Sequence, residues 1–197
     1  METASVETSA NDIRHNVSLN IVYLLPFHGS RLVEGWQVSG IELWRTGVPM
    51  SVDIGYDRAL LSNNFDAERP NVIAGCDETA GQSVTHWFNP ACFTLPTAGT
   101  IGDLGKNTIT APGYVDTDFS LSKDTRLFEK MNVQFRAEIF NIFNHSNFGI
   151  PGLNAFTAVG GLTGSPAGIT GNLSNAGQIT SIVGTSRQIQ LGVKFLF

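Results

Sequence analysis

The chain has 197 residues, of which 15% are charged, with 12 Lys and Arg against 17 Asp and Glu for a formal charge of -5. Charge this sparse falls below the roughly 25% of ordinary soluble domains, and with no basic run to track a phosphate backbone, nucleic acid is not expected as a partner. The longest apolar run, IVYLLPF at 21–27, holds a proline and is far short of the ~20 residues of a membrane-spanning helix, which excludes a helical span.

The opening stretch METASVETSANDIRH is polar and acidic, without a basic n-region or an apolar h-region. Residues 1–14 are expected to be a loop lead-in, and any export signal to lie outside it. Alternation of period two, the mark of a half-buried strand, then recurs five times. In the first strand, about 15–26, Val17, Leu19, Ile21, Tyr23 and Leu25 oppose Asn16, Ser18 and Asn20. The second, about 35–46, changes phase near Gly40, because Trp36 and Val38 are even while Ile41 and Leu43 are odd. A glycine at a phase change predicts a bulge there. Residues 50–54 are expected to extend this strand beyond the TGVP turn.

The third strand, about 114–124, sets Val115, Thr117, Phe119 and Leu121 against Asp116, Asp118, Ser120 and Ser122. In the fourth, about 131–142, Met131, Val133, Phe135, Ala137 and Ile139 oppose Asn132, Gln134, Arg136 and Glu138, and the pattern blurs from Phe140 to Phe143. The fifth, about 186–197, places Ile189, Leu191, Val193, Phe195 and Phe197 opposite Gln188, Gln190, Gly192 and Lys194.

The connections carry the architecture. PFHGSRLVEG joins the first two strands and RLFEK the third and fourth. About 65 residues rich in Asn, Gly, Pro and Asp separate the second and third strands, and about 40 separate the fourth and fifth, lengths that compact soluble domains rarely tolerate. In an antiparallel meander, the order short, long, short, long puts every tight turn at one end and every long loop at the other. That asymmetry belongs to outer-membrane barrels, whose strands need about nine to eleven residues each. The fold expected is all-β: an antiparallel up-and-down sheet over 15–197, the C-terminal segment of a transmembrane β-barrel, with two long extracellular loops. Tyr23, Phe135, Phe195, Phe197 and the tryptophans are expected in interfacial girdles.

The ordered segments GWQVSGI, HWFNPACF, GTIGDLGKNTITAPGYVDTDFSLSK, VQFRAEIFNIFNHSNFGIP and SRQIQLGVKFLF resemble the C-terminal end of TonB-dependent outer-membrane receptors of the Oar-like type, especially the large acidobacterial ones. The resemblance runs from about residue 15 to 197. It implies a large plugged barrel in the cell outer membrane of a Gram-negative-type bacterium, contributing to ligand uptake. It also implies a last strand, with Val193, Phe195 and Phe197, that the barrel-assembly machinery reads as an insertion signal. Five strands do not close around a plug, so the chain is expected to be a fragment, the tail of a truncated or mis-started gene. Its expected partners are outer-membrane lipid, the assembly machinery, the remaining barrel and plug, and TonB only through an N-terminal part.

Cys76 and Cys92 lie in the first long loop, where a disulfide would staple a segment too polar to pack itself. The alternative is two unpaired thiols, one of them buried beside HWFNPACF. Asp118 and Arg136 are expected to pair across strands in the lumen, and Asp116 and Asp118 have no nucleophile or oxyanion donor near them to support acid–base chemistry. His15, His28, His86 and His145 lack metal spacing, and GTIGDLG at 99–105 lacks the Gly-Lys-Ser/Thr of a phosphate loop. Without G-x-S-x-G, HExxH or CxxC, no enzyme, metal or cofactor is expected. The aromatics of HWFNPACF and NHSNFG either line a ligand surface or anchor the loops. The competing fold is a soluble extracellular β-sandwich acting as a carbohydrate-recognition module, which would spread its loops over both ends.

Overall fold

A computed structural model describes residues 8–59, 61, 68–128, 131–158, 169–172 and 175–197. Residues 1–7 of the expected lead-in, and Glu129 and Lys130 of RLFEK, lie outside the described residues. Among the described residues the chain is all-β apart from a 3-10 turn at Pro90–Cys92, and it divides into two compact units. A sheet unit comprises Arg14–Thr46, Gly113–Asn147 and Val183–Phe197, and a loop unit takes in Gly47–Pro112 and Phe148–Ile182.

The sheet unit is one five-stranded antiparallel sheet in chain order: β1 (Asn16–Leu24), β2 (Trp36–Arg45), β3 (Tyr114–Phe128), β4 (Met131–Phe140) and β5 (Gln188–Leu196). Leu24 faces Gln37 and Phe128 faces Met131 at the short-turn end, while Arg45 faces Tyr114 and Phe140 faces Gln188 at the long-loop end. The sheet is open, with β1 and β5 as its edges.

Three expectations about the strands need correction. β2 has no bulge at Gly40: its pairing to β1 and β3 is continuous through Ile21–Gly40 and Gly40–Phe119. The phase change instead leaves Ile41 and Leu43 on the polar side of the sheet and turns Glu42 to the apolar side. β3 runs past 124 to Phe128, and a register shift between Arg126 and Phe128 absorbs the extra residue before the turn. Finally, 50–54 do not extend β2, since Pro49–Met50 pairs with Ile109–Thr110 in the loop unit.

The loop unit packs its own core, against the expectation of a segment too polar to do so. The alternation at 50–54 buries Met50, Val52 and Ile54, and these join Phe88, Phe93, Leu104, Ile109, Ala155 and Phe156. Both long loops therefore contribute to one core, laced by Asp53 N–H to Leu153 O (3.0 Å) and Ala155 N–H to Asp53 O (2.8 Å). Backbones approach so closely that a Cβ on Gly102 would lie 2.2 Å from the Arg69 carbonyl oxygen. Cys76 and Cys92 form a disulfide with Cα atoms 5.5 Å apart and a sequence separation of 16. Closing a loop of that size contributes about 3 kcal/mol through the unfolded chain. Its second half-cystine ends the Pro90–Cys92 turn, which the Asn89 side chain caps by accepting the Ala91 N–H at 3.1 Å.

Candidate functional site: the polar face of the sheet

Residues paired across antiparallel strands share a face, so the register assigns every side chain. One face collects Val17, Leu19, Ile21 and Tyr23 from β1, Phe119 and Leu121 from β3, Val133 to Ile139 at odd positions from β4, and Ile189, Leu191, Val193 and Phe195 from β5. Trp36 and Trp44 lie near its two ends, some eight residues apart on β2, or about 27 Å along a strand, comparable to the ~25 Å band of an outer-membrane barrel before tilt. Tyr23, Phe135 and Phe195 lie with Trp36 toward the short-turn end, Phe135 standing level with Trp36 across Lys123. Lys123 lies on this face, but its ammonium reaches the short-turn rim, 5.2 Å from the Trp36 ring centre, and donates to the carbonyls of Arg31 (2.9 Å) and Glu34 (2.7 Å). Glu42 is a carboxylate on the apolar face, and Thr117 Oγ1 donates to its Oε2 at 2.5 Å.

The opposite face is polar: Ser39 on β2, Asp116, Asp118, Ser120 and Ser122 on β3, Arg136 and Glu138 on β4, Gln190 and Lys194 on β5. At its long-loop end a recess of about 440 Å³ is lined by Tyr114, Asp116, Asp118, Phe140, Gln188 and Gln190. Its size falls within the range of small-molecule pockets. Tyr114 O–H donates to Asp116 Oδ2 at 3.4 Å, and the Arg45 guanidinium stands 4.9 Å above the Tyr114 ring. Asp118 Oδ1 accepts the Asn141 N–H at 3.0 Å. Carboxylates and amides beside two aromatic rings suit hydrogen bonding and stacking with a small polar solute. Nothing there is placed as an activated nucleophile. Among the described residues, no group of three or more His, Cys, Asp or Glu is arranged to hold a metal.

The expected Asp118–Arg136 ion pair does not form. The β3–β4 register places Arg136 opposite Ser122 and Glu138 opposite Ser120, so Asp118 lies level with the end of β4, too far along the strand to reach. Arg136 bonds Glu138 on its own strand at 3.5 Å instead. Val193 and Phe195 are 57% and 53% exposed on the apolar side, and Phe197, past the end of β5, is 95% exposed. The aromatics of HWFNPACF are anchors: Phe88 and Phe93 are buried edge-to-face at 5.8 Å, and Trp87 Nε1 donates to Thr110 O at 2.8 Å. GTIGDLG is packed too, with Leu104 in the core and Asp103 accepting the Val72 N–H at 2.8 Å.

Two asparagines that sequence reasoning passed over hold the recess in shape. Asn141 ends β4 at φ 49° and is 5% exposed. Its amide donates to the carbonyls of His145 (3.0 Å) and Thr185 (2.9 Å), and its Oδ1 accepts the His145 N–H at 2.8 Å. Asn147 grips both backbone groups of Val115, each at 2.8 Å. The blurred alternation at Phe140 to Phe143 was the one available signal. Asn141→Ala is expected to destabilise the sheet unit by about 1–3 kcal/mol, read by urea unfolding of the chain in detergent micelles. Asn141→Gly, which tolerates the backbone angle but loses the bonds, should recover only part of the loss; full recovery would show that the bonds contribute nothing.

A family model described as "Outer membrane beta barrel domain" matches residues 2–190. No curated protein and no solved structure matches the chain.

Proposed function

The chain belongs to the outer membrane beta barrel domain family, and from that premise we propose that it supplies wall strands and extracellular loops to a TonB-dependent transporter that takes up a small polar solute. It is a protein of the outer membrane. The observation that carries the reading is the two-faced open sheet: an apolar face with tryptophans toward both ends, and a polar face holding a solute-sized recess at the long-loop end. The β-sandwich alternative loses its footing here. Leu19, Ile21, Ile189 and Leu191 are all more than half exposed, where a sandwich would cover them with a second sheet.

The strand directions say what kind of partner closes the sheet. Every junction from β1 to β5 is antiparallel, so the two edge strands run the same way. A ring of copies joined β5 to β1 would create parallel junctions, foreign to antiparallel outer-membrane barrels. Closure with antiparallel pairing throughout takes an odd number of further strands. This supports a barrel with further strands beyond these five; the reading adds a plug, TonB engaged through that remaining part, and the barrel-assembly machinery and lipid as the other partners. The role is non-enzymatic: the recess binds and passes a solute.

An immunoblot of fractionated source cells with an antibody to residues 185–197 tests it. The expected result is an outer-membrane band several times larger than a 197-residue chain, migrating faster when unboiled and retained by immobilised TonB periplasmic domain. A soluble band at the mass of the short chain would overturn the barrel-wall role. A heat-modifiable band that TonB does not retain would remove the TonB-dependent part alone.

A further inference from the structure

Apart from the recess on the sheet, the loop unit buries two carboxyl groups together. Asp57 and Glu68 are 7% and 4% exposed. Glu68 Oε2 accepts the backbone N–H groups of Arg58 (2.7 Å) and Ala59 (3.0 Å), and Asp57 Oδ1 accepts the N–H of Leu61 (3.0 Å). Glu68 Oε1 is buried with no hydrogen-bond partner. The Glu68 carboxyl thus sits on the backbone that directly follows Asp57, and the Asp57 carboxyl lies close enough to bear on its titration. Among the described residues, the other charged or titratable groups beside the pair are Tyr56, whose hydroxyl is buried, and Arg58, whose Nε donates to Pro96 O at 2.5 Å.

Two neighbouring carboxylates out of water cannot both stay ionised at low cost. A proton on Asp57 gives the unpartnered Glu68 Oε1 an O–H to accept from, and a proton on Glu68 Oε1 lets it donate to Asp57 instead. We propose that Asp57 and Glu68 share one proton and form a proton-operated clasp that ties the turn at 56–59 to residue 68, tightening the loop unit in acid and loosening it in alkali. The direction of the Glu68 titration agrees. Burial pushes its carboxyl above the ordinary range, and the Asp57 carboxyl adds to this, while the Ala59 and Arg58 N–H groups pull the other way.

The sign follows from proton linkage. A carboxyl raised in the folded state keeps its proton at a pH where the unfolded chain has lost it. The added stability is therefore full below the ordinary glutamate value of ~4.3, falls as pH rises to the raised value, and is absent above it.

The test is hydrogen exchange at the Arg58, Ala59 and Leu61 amides of the full chain in detergent micelles from pH 4 to 8, expressed as opening equilibria. In the unaltered protein, opening should rise with pH by up to about tenfold per unit within the window and then level off. Glu68→Gln keeps an acceptor for the two N–H groups and carries a permanent donor toward Asp57. It should be flat with pH and as protected as the unaltered protein at pH 4, and Asp57→Asn should behave likewise. A flat profile in the unaltered protein, or a slope that survives in both variants, would overturn the clasp. Protection restored at pH 8 by calcium alone would overturn it as well, by showing that the pair holds a metal rather than a proton.

Discussion

Leu191→Arg is expected to block insertion of the barrel wall, whereas Gln190→Arg, one residue away, is expected to leave it unchanged. Leu191 sits mid-strand in β5, 68% exposed, in the apolar row with Ala137 and Leu121. In a protein surrounded by water, an arginine at so open a position would change stability by no more than about 0.5 kcal/mol. On the lipid face near the bilayer midplane the same change costs about 2–4 kcal/mol, a factor of roughly thirty to a thousand in the folding equilibrium. Gln190 pairs with Glu138 on the polar face, where a cation meets water and a carboxylate. The measurement is the folded fraction of the full outer-membrane protein, by its unboiled gel mobility after reconstitution into vesicles. Equal insertion of both variants would mean that the apolar face does not meet lipid, and the face assignment would fail with it.

Phe88→Ala is expected to open the loop unit while sparing the sheet. Phe88 is 1% exposed, stacks edge-on against Phe93, and lies in a core drawn from both long loops. Truncating a buried phenylalanine removes its burial and leaves a void that close backbone packing, as at Gly102, cannot collapse to fill. The cost is about 3–5 kcal/mol, comparable to the total stability of a small domain. Limited proteolysis should then cut within 47–112 and 148–182 at low protease, while the heat-dependent mobility of the barrel persists. Unchanged protease resistance would sink the anchor role and return HWFNPACF to consideration as a ligand surface.

The barrel wall was legible because a strand writes its two faces into every second residue. Five alternating segments and connections of alternating length were enough for an antiparallel meander with its loops at one end. The loop unit was not legible. Its core comes from pieces as short as Pro49–Met50, Phe93–Thr94 and Ile109–Thr110, and two-residue strands carry no period. Residues 50–54 showed their alternation plainly, yet nothing local says whether an apolar side faces lipid or a core. The ion pair was misplaced for a related reason: a shared polar face does not reveal which residues stand level, because the turn and the bulge after Arg126 set the β3–β4 register.

The sequence by itself determined an all-β chain, the order and direction of its five long strands, and, outside β2, which side chains share a face, since these follow from local chirality and period. Only the tertiary structure decided that Asp118 takes the Asn141 N–H rather than Arg136, that Asn141 and Asn147 shape the recess, that Glu42 faces the apolar side, and that Asp57 meets Glu68 in a dry interior. Each of these depends on what lies across a pairing register or a loop closure, and residues far apart in the chain acquire such neighbours only when the whole fold has brought them together.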